Sequence, residues 1–140
     1  MSKLFQEILR VNTPGRSLTA ITGEVRERVA ASGVRAGLCN LFIRHTSASL
    51  ILCENADPDV RVDLENFMQR LVADGDPRYR HVLEGPDDMA AHIRTVLTES
   101  SLTLPVMDGG VALGTWQGIY LWEHRTQPHR REVLITVQGV

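Results

Sequence analysis

The segment from His81 to His92 combines two histidines with several acids around a predicted helix start. Pro86 suits the first helical position, because the N–H that proline lacks has no partner there. Asp88 precedes His92 by four residues, about one helical turn, and a carboxylate at this spacing can hold an imidazole in one orientation. The segment therefore predicts a site for metal binding or for acid–base chemistry.

Further polar side chains end apolar rows elsewhere in the chain. His45 closes the alternating pattern of residues 38–46, Glu54 closes residues 50–54, and Glu123 closes residues 116–123. Glu84 lies in the loop beside His81. Burying such groups without partners is costly, so we expect them to meet one another, a metal or a ligand. A single histidine at a strand end is more often structural or solvated, and sequence spacing does not show that these groups converge.

Composition narrows the class of protein. The chain has 140 residues, enough for one domain over residues 1–140, and its net charge of -2 argues against nucleic acid or an anionic membrane as a partner. Cys39 and Cys53 lack zinc-knuckle spacing and are expected to be reduced core residues. The first residues lack the apolar segment of a signal peptide, and no apolar run approaches the roughly 20 residues of a membrane span. We therefore expect a cytoplasmic protein.

Alternation and turn residues predict about seven strands and three helices, which together form an α+β domain on a largely antiparallel sheet. One helix is expected to be capped by Thr22 and to stop at Gly33, a second to start at Pro58 after a cap at Asp57, and a third to run from Pro86 to about Ser100. The Asp108-Gly109-Gly110 segment predicts a hairpin turn. The predicted apolar stripes of the second and third helices are Val60, Leu64, Phe67 and Leu71, and Met89, Ile93, Val96 and Leu97.

Several other chemistries are disfavoured by their missing motifs. No strand-GxGxxG-helix context or phosphate-binding GKS or GKT is present, and no G-x-S-x-G turn accompanies the serines after His45. Metal-assisted chemistry is therefore favoured over covalent catalysis. We expect Trp116 and Trp122 to lie in the core or in a subunit interface. Stacking of these side chains on a flat ligand is the less favoured alternative. His124 and His129, beside Arg125, Arg130 and Arg131, are expected in a solvated turn or at an anion-binding edge.

Long strings of the sequence resemble the YjbQ family, whose members are also described as secondary thiamine-phosphate synthases. The strings are HTSASLILCENADPDVRVDLE, YRHVLEGPDDMAAHI, SSLTLPV and VALGTWQGIYLWEHR. The resemblance covers nearly the entire chain. It implies a YjbQ-like fold, a largely antiparallel sheet or sandwich with about three helices packed on it. It also implies a homotrimer with sites near subunit boundaries, and a weak ability to join hydroxymethylpyrimidine pyrophosphate to thiazole phosphate.

The resemblance also assigns candidate roles to motif positions. Catalytic roles are expected for His45, Glu84, Asp88, Trp116, Gln117 and Glu123. Substrate-binding roles are expected for Thr46, Ser47, Asn55, Asp63, Gly85 and Thr115.

The most specific hypothesis is a divalent metal bound by His45, His81 and His92, with one position left open. Imidazole ligands favour zinc, whereas magnesium would prefer carboxylates. In the implied reaction, pyrophosphate departs and the thiazole nitrogen captures a pyrimidine-methyl cation, with the metal, Arg94 or Arg125 assisting the leaving group and Trp116 orienting a ring.

Two other interpretations remain open at this point. In the first, the protein is a binding or detoxifying module for a phosphorylated metabolite, and its synthase activity is incidental. In the second, the polar residues form a structural network at a trimer axis. A binding module is distinguished from an enzyme by its turnover, which should be negligible on every substrate. A structural network at a trimer axis predicts that histidine substitutions dissociate the trimer.

Overall fold

The computed structural model describes residues 1–140 and confirms an α+β architecture with three helices and eight strands. The helices are α1 (Thr22–Ser32), α2 (Pro58–Leu71) and α3 (Asp88–Leu97). The strands are β1 (Lys3–Thr13), β2 (Ser17–Ala20), β3 (Gly37–Ile43), β4 (Ala48–Glu54), β5 (Ser101–Met107), β6 (Gly110–Val111), β7 (Gln117–Glu123) and β8 (His129–Gly139).

The strands form two sheets in which every paired neighbour is antiparallel. The larger sheet has the order β1-β8-β3-β5-β6, and the smaller has the order β2-β7-β4. One core cluster of 19 buried residues joins them, with Leu41 and Ile135 from the larger sheet, Leu121 from the smaller one, and Val25 and Val29 from α1. Side chains that alternate along each strand therefore supply the core from both sheets.

Local backbone chemistry sets several element ends as predicted. Gly33 ends α1 with a left-handed φ of 70°, a conformation that glycine adopts without a side-chain penalty. The Asp57 carboxylate accepts a hydrogen bond from the Asp59 backbone N–H and caps α2. Asp108 and Gly109 both have positive φ, 53° and 80°, in the turn that joins β5 to β6.

Thr22 does not cap α1, contrary to the prediction. It is the first residue of that helix, after Ile21, and no side chain caps the helix. Its hydroxyl instead accepts a hydrogen bond from the Ile119 backbone N–H at 2.8 Å. Thr22 therefore ties α1 to β7.

The predicted apolar stripes of α2 and α3 are wrong in part. Phe67 and Leu71 of α2 are more than half exposed, and so are Val96 and Leu97 of α3. The residues of α3 that are buried are Asp88, Ala90, Ala91, Arg94 and Thr95. The face of α3 that packs inward therefore carries small and polar side chains. Residues on neighbouring elements form ion pairs with this face and pack closely against it, and the hydrophobic periodicity of the sequence does not reveal such partners.

Strand boundaries differ from the predictions mainly near the site. The strand expected to reach Thr46 ends at Ile43, and the next begins at Ala48, so that His45 and Thr46 lie in a connection. Strand β2 was not predicted, because four residues carry too little alternation. None of the three helices has the length and apolar character needed to span a membrane.

Candidate functional site

His81, Asp88 and His92 lie together on one side of the smaller sheet. The Nε2 atoms of His81 and His92 are 2.8 and 3.0 Å from the same oxygen, Oδ2 of Asp88. Each residue offers one ligand atom, and the three atoms lie within 4.8 Å of one another. Asp88 is buried, whereas the His81 side chain is 49% exposed. The cluster therefore has a solvent-accessible side.

Helix α3 sets the relative position of two members of the cluster. Asp88 is its first residue and His92 follows one turn later, so their side chains lie on the same face. The His92 ring is held from its other side, because Nδ1 donates a hydrogen bond to the Thr46 carbonyl oxygen at 2.9 Å. His81 reaches the cluster from the loop between α2 and α3, as expected for that loop.

The hydrogen bond to Thr46 fixes how the His92 ring is protonated. A carbonyl oxygen only accepts, so Nδ1 carries a proton, and a neutral His92 then presents the Nε2 lone pair. That lone pair faces a carboxylate oxygen at 3.0 Å, which also has only lone pairs. The arrangement is repulsive unless a positive charge lies at the cluster, either as a second proton on His92 or as a metal ion shared by these ligand atoms.

Arg125 holds the other side of Asp88. Its Nη1 donates to Oδ1 of Asp88, its Nε to Oδ2 of Asp87, and its Nη2 to the Glu84 carbonyl oxygen, each at 2.9 Å. One oxygen of Asp88 is therefore occupied by a guanidinium, and only Oδ2 faces the histidines. Arg125 links three parts of the site, namely the loop before α3, the start of α3 and the β7–β8 connection.

The charges around Asp87 and Asp88 keep both carboxyls ionised. Burial acts to raise the pKa of Asp87, but hydrogen bonds from Arg125 and the Thr126 backbone outweigh it and lower that pKa to about 2. Burial also opposes ionisation of Asp88, yet the hydrogen bond from His81 and the charges of His92 and Arg125 lower its pKa. Asp88 is therefore an anionic ligand at neutral pH.

His45 lies outside this cluster. Its Nε2 accepts a hydrogen bond from the Glu132 backbone N–H at 2.7 Å, and its Nδ1 lies 3.4 Å from Nη1 of Arg131. The Nε2 lone pair that a metal would use is thus already occupied. The structure brings together His81 and His92 but places Asp88, rather than His45, as the third group.

Glu123 is fully buried in an ion pair with Arg131. Its carboxylate accepts hydrogen bonds from the Thr13 hydroxyl at 2.8 Å, from Nε of Arg131 at 2.7 Å and from the Arg125 backbone at 3.1 Å. Burial acts to raise its pKa, but the hydrogen bonds from Arg131 and Thr13 outweigh this and lower it. Ser47 completes the group, because its hydroxyl and carbonyl accept from Nη2 of Arg131. Glu123 and Ser47 therefore stabilise the strand ends beneath the site.

A second buried network lies between α2, α3 and the smaller sheet. Arg94 donates to Glu65 through both Nη atoms and to Nδ1 of His124 through Nε, and the other nitrogen of His124 lies 2.8 Å from the Ser49 hydroxyl. Arg94 and His124 have no exposed surface. Arg94 therefore does not reach a leaving group, and the expectation of a solvated turn is wrong for His124 and for the buried Arg131.

The remaining motif residues divide between two ends of the smaller sheet. Glu84 and Gly85 lie beside His81, where Gly85 adopts a φ of 102°, and Thr46 contacts His92. Asn55 instead donates to the Thr115 and Gln117 carbonyl oxygens at the far ends of β4 and β7. Because β7 has seven residues, this end lies about 20 Å from Glu123.

Trp116 and Asp63, like Asn55, Thr115 and Gln117, lie away from the histidine cluster within one chain. Trp116 is 64% exposed beside the Asn55 end, where its carbonyl oxygen accepts from the Asn55 backbone N–H. Asp63 is exposed on α2. Sequence reasoning did not identify Asp87 as the partner of Arg125, because the two positions are far apart in the chain and only folding pairs them.

The donor set of the cluster suits a transition metal. Two imidazole nitrogens and one carboxylate oxygen are a ligand combination that binds zinc or non-haem iron and leaves coordination positions open. The orienting hydrogen bond from His92 to a backbone carbonyl is also typical of metal-bound histidines. The residues present therefore fit a divalent metal, although the set differs from the three histidines expected.

Comparison with known proteins gives one consistent family. A family model described as UPF0047 protein YjbQ-like matches residues 7–140. The chain is 54% identical to UPF0047 protein sll1880 of Synechocystis, over 96% of this chain and 91% of that protein. It is 43% identical to UPF0047 protein YjbQ of Escherichia coli O157:H7, over 96% and 98% of the two chains.

Solved structures agree with this result. A conserved hypothetical protein from Thermus thermophilus aligns with a TM-score of 0.82 at 36% identity, covering 92% of this chain and 97% of that one. A YbjQ-like protein of unknown function from Sulfolobus solfataricus aligns over all of both chains with a TM-score of 0.91. The second pair is 23% identical, so it supports the fold alone.

Proposed function

The chain belongs to the YjbQ-like UPF0047 protein family, and from this premise we propose that it is a metal-dependent enzyme acting on phosphorylated small molecules. His81, Asp88 and His92 hold the metal. The proposed reaction is the weak thiamine-phosphate synthase activity that joins hydroxymethylpyrimidine pyrophosphate to thiazole phosphate.

One observation supports the proposal most directly. The hydrogen bond to Thr46 gives a neutral His92 an Nε2 lone pair that faces Oδ2 of Asp88, and the His81 Nε2 approaches the same oxygen. A divalent cation held by these three atoms would take the place of the protons that otherwise lie between the two imidazole rings and the carboxylate. Asp88 alone contributes one negative charge, and Arg125 holds its second oxygen, so the carboxylate is expected to bind through one atom.

Zinc is the proposed metal. Imidazole nitrogen with a carboxylate oxygen is a common zinc ligand set, and three protein ligands leave the position that catalytic zinc sites keep open. A bound divalent ion would supply Lewis acidity to a phosphate oxygen. Iron is the competing assignment for two histidines and one carboxylate, and metal analysis distinguishes the two.

The chain's own residues position this site rather than perform covalent chemistry. Arg125 fixes Asp88, and the Thr46 carbonyl fixes the His92 ring. Each of the three guanidinium nitrogens of Arg125 donates to Asp87, Asp88 or the Glu84 carbonyl, so we assign Arg125 as a positioning residue. Glu84, three residues after His81, is exposed, and we propose it as the acid for proton transfer at the open side.

We also propose that the chain assembles as a homotrimer. The two groups of motif residues lie at opposite ends of the smaller sheet in one chain, about 20 Å apart along the strands. A neighbouring copy could bring its Asn55 and Trp116 end to the histidine cluster. Exposed apolar side chains on the larger sheet, such as Phe42, on α2 and α3, and in the turn before β7, where Trp116 lies, are consistent with a covered surface.

A cytoplasmic location is also proposed. The two cysteines, Cys39 and Cys53, are free, and burial raises the pKa of the Cys39 thiol to about 11. An unreactive, buried thiol is compatible with a reducing compartment.

Metal analysis tests the central claim. Inductively coupled plasma mass spectrometry of the purified native protein is expected to give near one zinc per chain, and the double variant His81→Ala, His92→Ala is expected to lose it. His129→Ala is the matched control, because His129 lies outside the cluster and bonds the Gln127 carbonyl. Equal metal content in the native protein and the double variant would rule out this site.

Binding without turnover is the second candidate function. The buried carboxylate Glu123 and the cation Arg94 are both paired inside the protein, and this leaves few free catalytic groups at the cluster. Measuring kcat/KM with the two thiamine precursors separates the candidates. An enzyme gives turnover that disappears with the metal, whereas a binding module gives saturable affinity and no measurable rate on either substrate.

A further inference from the structure

Asp87 is the immediate neighbour of Asp88 but is not one of the three residues of the histidine cluster. Its Oδ2 accepts hydrogen bonds from Nε of Arg125 at 2.9 Å, from the Thr126 backbone N–H at 2.9 Å and from the Thr126 hydroxyl at 3.3 Å. Only 7% of the surface of Asp87 is exposed. Asp87 is therefore a buried anion bound to the same guanidinium that holds Asp88.

Arg125 lies between these two neighbouring carboxylates. Its Nη1 donates to Oδ1 of Asp88, and its Nε donates to Oδ2 of Asp87. Two anions and one cation together carry a net charge of −1. Without the charge of Asp87, the charges of Arg125 and Asp88 would cancel, and the attraction for a cation at Oδ2 of Asp88 would be weaker.

The burial of these groups makes their charges effective over short distances. Asp87 and Asp88 are both more than nine-tenths buried, and the Arg125 side chain is 20% exposed. Salt and water screen buried charges much less than exposed ones. The charge of Asp87 therefore acts on the same carboxylate that faces His81 and His92.

We propose that Asp87 is a positioning residue that sets the metal affinity of the site through Arg125. The inference rests on the proposed function, because it requires a metal held by the histidine cluster. Asp87 neutralises Arg125 and so leaves the charge of Asp88 available to the metal. It also holds the guanidinium on Oδ1 of Asp88, which keeps Oδ2 directed at the histidines.

Competition for zinc with a chromophoric chelator tests the inference. Asp87→Asn is expected to raise the zinc Kd about 10- to 100-fold at neutral pH, the usual effect of losing a group that orients a metal ligand. The bonds from Arg125 and Thr126 all fall on one oxygen of Asp87, and asparagine retains one oxygen that can accept them. The substitution therefore removes the charge and spares much of the geometry. Circular dichroism establishes that the variant is folded during the titration.

Asp76→Asn is the matched control for the loss of a nearby negative charge. Asp76 and His81 line the same crevice, but the Asp76 carboxylate is paired with Arg78, whose side chain is 89% exposed. Because solvent screens this pair, the zinc Kd of the control is expected to stay within about twofold of the native value. An equal loss of affinity in Asp76→Asn and Asp87→Asn would overturn the inference, since it would show a general effect of charge and no special role for Arg125.

The double variant Asp87→Asn, Arg125→Gln separates an effect of charge from damage to the site. Removing both charges leaves the −1 of Asp88 unopposed, so zinc binding is expected to recover about fivefold or more relative to Asp87→Asn. Structural damage predicts the opposite, because the double variant also loses the guanidinium bonds to Asp88 and to the Glu84 carbonyl oxygen. A double variant that binds zinc more weakly than Asp87→Asn would overturn the inference.

The native protein distinguishes failure of this inference from failure of the proposed function. Native protein that binds no zinc would overturn both. Native protein that binds zinc without turnover on the two thiamine precursors would count against the enzyme and leave the role of Asp87 standing. A zinc Kd that is the same in the native protein and in Asp87→Asn would overturn this inference alone.

Discussion

Individual histidines in this protein have opposite electrostatic roles. His92 faces a carboxylate and needs a positive charge beside it, whereas His124 accepts a hydrogen bond from Arg94 and cannot gain a proton without losing that bond. Burial, assisted by the Arg94, Arg16 and Arg131 charges, lowers the pKa of His124 to about 2. The sequence shows five histidines but not these environments, since each environment comes from residues distant in the chain.

The buried His124 predicts a pH dependence of stability. Its folded pKa lies below the ordinary value of 6.5, so the unfolded chain binds its proton more readily. The contribution of His124 is therefore fully present above about pH 6.5 and is lost as the pH falls, by up to about 1.4 kcal/mol per pH unit. We expect His124→Gln to reduce this slope in urea unfolding between neutral and mildly acidic pH.

His129→Gln is the control for that measurement, because the His129 side chain is partly exposed at the protein surface. It should keep the native slope. A His124→Gln protein with the same slope as the native protein would show that folding does not change the pKa of His124.

At the scale of elements, local signals predicted some element ends but not all. Helix α3 runs over Asp88–Leu97 rather than from Pro86 to about Ser100, and Thr22 does not cap α1. Gly33, Asp57 and the Asp108 turn were identified because each depends on the backbone of a few neighbouring residues. The buried face of α3 was not, since Arg94 and Thr95 are buried by partners on other elements. The His81, Asp88 and His92 segment was predicted as a site for the same local reason, whereas the separation of His45 depends on where β3 ends.

The clamp between Asp87 and Arg125 joins the start of α3 to the β7–β8 connection. Asp87 has a folded pKa of about 2 against an ordinary 3.8, so its stabilising effect is present above about pH 4 and is lost as the pH falls towards 2. Asp87→Asn is expected to cost about 1 to 2 kcal/mol at neutral pH and to flatten the acid limb of the stability profile.

Circular dichroism during acid titration checks this expectation. Asp108→Asn is a suitable control, because asparagine tolerates the positive φ at that exposed turn. An Asp87→Asn protein with native acid stability would show that the Arg125 clamp contributes nothing to the fold.

At the scale of the whole molecule, substitutions on the outer face of the larger sheet test the proposed homotrimer. Leu4, Leu38 and Phe42 are exposed there, interrupted by neutral polar residues such as Asn40 and Thr136. Light scattering is expected to give a mass three times that of the 15.6 kDa chain. A charge buried in an interface is costly, so Phe42→Asp is expected to shift the mass towards the monomer.

Val62→Asp on α2 provides the comparison, since Val62 is also about half exposed but lies on a different surface. It is expected to leave the mass unchanged. A native protein that has the mass of a single chain would contradict the trimer proposal, and a trimer disrupted by Val62→Asp alone would move its interface to α2.

The loop between α2 and α3 has no helix or strand of its own, yet it supplies His81 to a group otherwise carried by α3. A cation shared by His81 and His92 would fasten the loop to the helix, and a chelator would release it. Arg78, whose side chain is 89% exposed, and Arg80 lie just before His81. Trypsin should therefore cut this loop faster after treatment with a chelator, and added zinc should restore resistance. Proteolysis would then report occupancy of the site without any knowledge of its substrate.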